Sequence, residues 1–223
     1  MLPRVLEPEV MDTAEEARDY DAMDHAAVNR AFVADFLALW DNRSPILDVG
    51  AGTAQIPIEL CRQATDARVV AIDLAEHMLA RGRENVRRAG LEDRLRLERV
   101  DAKKMPYPDG TFAAVISNSI VHHIPEPGSV LQEMVRVAAP GGWLFVRDLL
   151  RPADEHTLRD LVAAYAGGAN AHQQQLFADS LRAALSLNEV RALVAALGFN
   201  PATVQPTTDR HWTWSVQLPS AMA

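Results

Sequence analysis

Cysteine is almost absent from this 223-residue chain. Cys61 stands alone, so no internal disulfide can form, and a reducing cytoplasm is the expected setting. No apolar run approaches the ~20 residues of a membrane span, so no membrane association is expected. The first ten residues lack the apolar stretch of an export signal. Positive charge is also in deficit: 22 Lys and Arg face 30 Asp and Glu, a net −8, which argues against a broad nucleic-acid-binding face. Internal repeats are missing too. The stretch Arg81–Lys104 carries nine basic residues, but five acids are interleaved, and it reads as a solvated face.

What the chain does have is a hydrophobic content of 48%, enough for one good-sized core, and a stretch around which that core is organised. In Ile46-Leu47-Asp48-Val49-Gly50-Ala51-Gly52-Thr53-Ala54 an apolar run ends in an acid. Two glycines follow one residue apart, and a helical pattern then starts near Thr53. This reads as strand, tight turn and helix, a place where backbone can approach a ligand closely and helix N–H groups are unpaired. Further buried strands are expected at 68–72, 95–100, 112–117 and 143–149. Helices are expected at 75–89, closed by Gly90, and at 128–138, broken by Pro140-Gly141-Gly142. Beyond them come helical segments at 157–166, 172–185 and 187–197, with a Gly167-Gly168 hinge between the first two. Two late strands, 202–206 and 211–217, form a hairpin around Thr207-Thr208-Asp209. Cys61 falls with Ile58 on the apolar face of the first helix. Strand–helix alternation followed by a hairpin predicts an α/β fold: a doubly wound, mostly parallel seven-stranded sheet, helices on both faces and antiparallel strands at the C-terminal edge.

Three features define the ligand expected on the turn. Gln55 occupies the position where G-x-G-x-x-G requires glycine for a dinucleotide pyrophosphate, which disfavours a nucleotide-dependent oxidoreductase. Asp48 beside the turn repels a pyrophosphate and suits an ammonium group. Asp73 closes the second strand, where a carboxylate accepts hydrogen bonds from ribose hydroxyls, and Asp101-Ala102 closes the third, where an adenine amine and ring nitrogen can pair. Acids at three neighbouring strand ends describe a pocket for a cationic adenosine derivative.

Across roughly residues 20–217 the sequence resembles the Rossmann-like class I S-adenosylmethionine-dependent methyltransferases. The resemblance is carried by Leu47-Asp48-Val49-Gly50-Ala51-Gly52-Thr53, Ile72-Asp73-Leu74, Val100-Asp101-Ala102, Asp109-Gly110-Thr111-Phe112 and Pro140-Gly141-Gly142-Trp143. Ala54 departs from the family's usual third glycine. The resemblance implies S-adenosylmethionine as cofactor and S-adenosylhomocysteine as product. It implies that Gly50, Ala51 and Gly52 contact the methionyl part, Asp73 both ribose hydroxyls, Leu74 and Met78 the adenine faces, and Asp101 and Ala102 its edge. The carbonyl of Ser117 or Asn118 would receive the amino group. Met78 reads equally well as core. One domain over 1–223 is expected, divided into an N-terminal helical lid (1–44), a cofactor core (45–150), a helical lid or insertion (151–198) and the hairpin (199–223). The acidic N-terminal segment reads either as a solvated cap or as a lid whose Tyr20, Asp24 and His25 face the ligand.

Methyl transfer from a sulfonium is an in-line displacement that needs an aligned acceptor and sometimes a base. His122 and His123, after strand four, are the candidate bases, His123 preferred, with pocket shaping as the alternative. Ser119, Arg147, His25 and His211 are candidate substrate contacts. Arg147, Asp148 and Arg151 can either orient an acidic substrate or pair with one another. Strand four ends in Ser-Asn-Ser, not an Asn/Asp-Pro-Pro-Tyr/Phe loop, which disfavours amino methylation of adenine or glutamine, and no Pro-Cys follows it, which excludes cytosine C5. No Cys-x-x-Cys or His-x-x-x-His cluster is present, so no metal is expected. A small-molecule acceptor is therefore expected. A non-catalytic S-adenosylmethionine sensor and a tRNA or protein methyltransferase stand as alternatives, and the oligomeric state is open between monomer and homodimer.

Overall fold

The computed structural model describes residues 2–8, 12–23 and 25–220; Asp24, one of the expected lid residues, lies outside them. Eight α-helices and seven strands are assigned among the described residues: α1 (Ala14–Ala22), α2 (Ala26–Leu37), β1 (Ile46–Val49), α3 (Gln55–Gln63), β2 (Val69–Asp73), α4 (Glu76–Ala89), β3 (Leu95–Arg99), β4 (Phe112–Asn118), α5 (Pro127–Val137), β5 (Ala138–Leu149), α6 (Glu155–Ala166), α7 (Ala171–Ala183), α8 (Leu187–Ala196), β6 (Val204–Pro206) and β7 (His211–Gln217). The seven strands form one sheet in the order β3-β2-β1-β4-β5-β7-β6. β1 runs parallel to both β2 and β4, and β6 pairs antiparallel with β7. This is the expected doubly wound sheet with its antiparallel edge.

The chain packs as two compact units. The first comprises Val10–Asn118, Ser129–Val146 and Ser215–Ala223; the second comprises Met1–Glu9, Ser119–Gly128 and Arg147–Trp214. In the first, β1 is buried along its whole length, as a strand hydrogen-bonded on both sides and covered on both faces must be. Its core joins Phe32, Val33 and Phe36 of α2 to Ile58, Leu60 and Cys61 of α3 and to Phe145. Cys61 is buried and free, a packing residue. In the second unit, Leu158 and Leu161 of α6 pack with Ala178 and Leu181 of α7 beneath Leu149. Trp212 and Trp214 are fully buried, and Trp214 meets Phe199 edge-on with ring centroids 5.5 Å apart.

Several boundaries differ from the sequence reading, each for a local reason. α3 starts at Gln55, not Thr53, because Ala54 takes a left-handed conformation (φ 65°) at its N-cap. Pro140-Gly141-Gly142 does not separate helix from strand: β5 begins at Ala138, where α5 ends. The backbone of Gly141 and Gly142 is held by Pro219 and Leu218, so the dipeptide lies within the paired region. Pro201–Thr203 form a 3-10 turn capped by Asn200, which shortens β6. α4 ends as expected on Gly90, with φ 66°.

Candidate cofactor site and a buried carboxylate–histidine cluster

The turn after β1 is built by two positive-φ glycines, Gly50 at 79° and Gly52 at 52°. Gly50 and Ala51 donate their N–H groups to the carbonyl of Ile72 at 2.8 and 2.9 Å, and Gly52 donates to Oδ2 of Asp73 at 2.8 Å. The other Asp73 oxygen accepts the Ala75 N–H at 2.9 Å. Both carboxylate oxygens of Asp73 are thus engaged by backbone N–H groups, which fixes the orientation of the acid at the end of β2.

A cleft beside this turn is lined by Tyr20, Asn29, Asp48, Gly50, Ala51, Thr53, Gln55, Ile56 and Asn118. Of the expected cofactor residues it brings together Tyr20, Asp48, Gly50, Ala51 and Asn118. Asp48 is the distinctive group. It sits mid-sheet opposite Ala71 and Ile116, almost wholly buried, and its Oδ2 has no hydrogen-bond partner. Burial, reinforced by the charge of Asp73, pushes its carboxyl up to about 7. Burial also raises the Tyr20 phenol, with Asp73 and Asp48 adding to the effect. Tyr20 lies against the turn: a Cβ added at Gly52 would touch its ring edge at 3.7 Å.

The sequence reading missed the polar strut behind this cleft. Asn29 on α2 donates to Oε1 of Gln55 at 3.2 Å, and the Gln55 amide donates to Asp21 on α1 at 3.3 Å. Gln55, noticed only for not being glycine, ties both N-terminal helices to the turn. An Asn on one helix and a Gln opening another, 26 residues apart, give no motif to find.

The remaining expected cofactor residues lie outside that lining. Met78 is buried with Ala17 and Ala75, and Tyr20 packs against the three. Leu74 is half-buried, its carbonyl accepting from Arg99 at 3.1 Å, and Ala102 is buried. Asp101 lies two residues beyond β3, and Lys103 reaches it at 3.1 Å. The Ser117 hydroxyl donates to the Val49 carbonyl at 2.8 Å, binding the ends of β4 and β1 together. His25 precedes α2, its ring 5.2 Å from that of Tyr20.

The second unit holds a separate constellation. Asp148 accepts the Val121 N–H at 2.6 Å, and its Oδ1 lies 2.5 Å from Nδ1 of His122, so one carboxylate caps the 3-10 turn Val121–His123 and fixes the imidazole. Nε2 of His122 faces Oε1 of Glu7 at 3.4 Å, and Nδ1 of His123 faces the same oxygen at 3.1 Å. Burial alone would lower the His122 pKa, but the charge and hydrogen bond of Asp148, together with Glu7, outweigh it and raise the value. His122 is therefore held between two carboxylates, a poor arrangement for the expected base. His123 keeps more solvent contact.

The expected pairing of Asp148 with Arg147 or Arg151 is replaced by the His122 contact. Arg151 pairs with Glu189 at 2.8 Å, and buried Arg147 donates to Thr213 at 2.9 Å. His211 is buried, with Nδ1 2.8 Å from the Thr208 hydroxyl. Burial, then Arg210 and Arg147, pushes it down to about 4, so it stays neutral and closes the β6–β7 turn. Ser119 adopts φ 58° and donates its N–H to the Arg147 carbonyl at 2.9 Å.

Residues 47–146 match the methyltransferase domain family. Over this segment, which carries the glycine turn, Asp73 and Asp101, the chain is similar to S-adenosylmethionine-dependent methyltransferases. The 27-O-demethylrifamycin SV methyltransferase of Amycolatopsis mediterranei is 30% identical over 172 residues, covering 75% of this chain and 59% of that protein. The phosphatidylethanolamine N-methyltransferase of Cereibacter sphaeroides is 41% identical over 98 residues, 44% of this chain and 46% of that one. The chain thus spans about half the length of these relatives. The crystal structure of a Methanococcus maripaludis protein described as an S-adenosylmethionine-dependent methyltransferase has the same fold. Its TM-score is 0.73 at 17% identity, covering 98% of this chain and 99% of the other. S-adenosylmethionine is the cofactor this similarity implies, and the orphaned, buried carboxylate of Asp48 beside the glycine turn fits its cationic amino group. No helix among the described residues is long and apolar enough to cross a membrane.

Proposed function

We propose that the chain transfers a methyl group from S-adenosylmethionine to a small-molecule acceptor. The observation carrying this reading is Asp48: a buried carboxylate with an unpartnered oxygen, aimed into a cleft floored by Gly50 and Ala51. An isolated buried charge is costly, so the site favours a cationic ligand over an anionic one. When bound, the cofactor supplies a methyl on a sulfonium, already activated for in-line displacement. The protein's own work is then orientation and exclusion of water. Asp48 holds the amino group, with the Asn118 carbonyl on β4 as its second acceptor. Gly50–Gly52 hold the methionyl part by backbone. Asp73, at the end of β2, is assigned to the ribose hydroxyls. Leu74, Met78, Asp101 and Ala102 are assigned to the adenine, and Tyr20 closes the cleft from α1.

A small acceptor is supported by the net charge of −8 and by the rifamycin-directed relative. The two relatives named above are named for O- and N-linked methyl groups, so similarity to them leaves the accepting atom open. The test is S-adenosylhomocysteine release against a cell extract divided into small-molecule, RNA and protein fractions. Turnover in the small-molecule fraction, with a product heavier by one methyl, is expected. Turnover confined to RNA or protein would replace the acceptor class. Tight cofactor binding without turnover in any fraction would make the chain a sensor.

A further inference from the structure

Glu7, His122 and His123 converge from distant parts of the chain, and the backbone geometry that brings them together is well anchored. The Arg4 guanidinium donates to the carbonyls of His122 and Ile124 at 3.1 and 2.9 Å and to Ala183 at 2.7 Å. The Val5 N–H donates to Arg182 at 3.1 Å. The segment carrying Glu7 is therefore a strap tied down within this unit. Oε2 of Glu7 accepts from the Ser180 hydroxyl at 3.2 Å, which leaves Oε1 turned towards the two imidazoles.

Oε1 and Nδ1 of His123 are both buried and face one another at 3.1 Å, without the alignment that a full hydrogen bond requires. With Nδ1 of His122 committed to Asp148, Nε2 of His122 completes a set of three ligand atoms within 4.8 Å of one another. In a tetrahedral site with metal–ligand bonds of about 2.0–2.1 Å, neighbouring ligand atoms lie about 3.3 Å apart. The two measured edges, 3.1 and 3.4 Å, bracket that value. We propose that Glu7 Oε1, His122 Nε2 and His123 Nδ1 bind a zinc-class divalent metal ion, with Asp148 orienting His122 from behind.

The chemistry of the set supports this choice. Two imidazoles and one carboxylate suit zinc and its first-row neighbours, whereas magnesium and calcium prefer all-oxygen shells. A carboxylate on the far nitrogen of a ligating histidine is the usual support for such an ion, since it fixes tautomer and ring orientation. Glu7 and Asp148 with neutral histidines bring −2 to a bound dication, and the Arg4 guanidinium adds a positive charge on the far side of the His122 backbone. Three protein ligands leave a fourth position, the count found in zinc sites that bind water or an exogenous oxygen. The site escapes motif searches because its ligands are an adjacent His-His pair and a residue near the start of the sequence.

The test uses the full chain, stripped with a chelator and titrated with Co²⁺ and then Zn²⁺. One equivalent of Co²⁺ should give the visible absorption of a tetrahedral N/O site, and Zn²⁺ should displace it and raise the melting temperature. Asp148→Asn should weaken Zn²⁺ binding about 10- to 100-fold, and Glu7→Gln and His123→Asn by at least as much. Glu7→Gln keeps the side-chain shape, so its metal-free melting temperature serves as the folding control. His77→Asn, in an exposed Asp12 pair, should change nothing. Absence of saturable Co²⁺ binding overturns the proposal, as does equal Zn²⁺ affinity in wild type, Glu7→Gln and His123→Asn. Because the readout is metal binding, its failure leaves the methyl-transfer reading standing, and the reverse holds.

Discussion

The Gly52 N–H donates to Oδ2 of Asp73 at 2.8 Å, so the turn after β1 and the acid ending β2 are one hydrogen-bonded piece. The charge-assisted bond positions Asp73 through the turn and the turn through Asp73. Asp73→Ala removes this acceptor and that of the Ala75 N–H together. It should destabilise the protein by about 1–3 kcal/mol and weaken S-adenosylmethionine binding more than tenfold. Asp73→Asn keeps one acceptor and should lie between the two. Thermal melts and calorimetry read both effects, and an unchanged affinity in the alanine variant would remove Asp73 from the site.

Asp48 predicts an unusual pH dependence. Its carboxyl titrates near 3.8 when unfolded and about 7 when folded, so between those values the folded chain holds a proton that the unfolded chain has lost. The stability contribution of this group therefore falls as pH rises through that window. Asp48→Asn should abolish that component, leaving the cofactor-free protein relatively more stable at pH 8 than wild type. Urea unfolding at a series of pH values measures it, and superimposable wild-type and variant profiles would contradict it.

Asp21 fastens α1. Its carboxylate takes Arg81 Nε at 2.6 Å and Asn85 Nδ2 at 2.7 Å, and its side chain is nearly buried. Asp21→Ala should cost about 1–3 kcal/mol, chiefly through the donors left behind. Hydrogen exchange should accelerate across Ala14–Ala22 while the β1 amides stay protected. Uniform acceleration in β1 as well would show that α1 is part of the core and not a separately released cover.

Gly82 of α4 lies against the turn. A Cβ there would lie 2.6 Å from Leu97 Cδ2 and 3.3 Å from the Thr53 backbone. Leu97 can shift, but the Thr53 backbone belongs to the cofactor turn. Gly82→Ala should therefore destabilise by about 1–2 kcal/mol despite alanine's better helix propensity, and should weaken cofactor binding. A stabilised variant in urea titration would contradict this packing account.

The sheet was legible because its first strands are short apolar runs followed by acids or glycines: Asp48 is one residue from the end of β1, Asp73 ends β2, and Asp101 lies two residues beyond β3. The class of cofactor was legible for the same reason. Polar connections between distant segments were not. Gln55 carries no signal that it will join Asn29 to Asp21, and Asp148, read as an arginine partner, is claimed by His122 because the 3-10 turn presents N–H groups and imidazole to it together. Glu7 is one acid among many in an acidic N-terminal segment. It is aimed at the histidines by the Arg4 and Val5 anchors, whose acceptors are backbone carbonyls without sequence identity, and by the Ser180 hydroxyl. The strand at Ala138 was missed because Pro-Gly-Gly breaks a helix but does not prevent pairing at a sheet position where Gly141 adopts φ 68°.

The most direct test of the account is calorimetric titration with S-adenosylmethionine at about pH 6.5, in two buffers of different ionisation heat, beside a titration with NAD. Below about 7 the free protein holds a proton on Asp48, and a cationic amino group drives it off. The account predicts one equivalent bound with proton release, loss of that release in Asp48→Asn, and no binding of NAD. Binding of NAD, or S-adenosylmethionine binding with the same proton balance in wild type and Asp48→Asn, would contradict it.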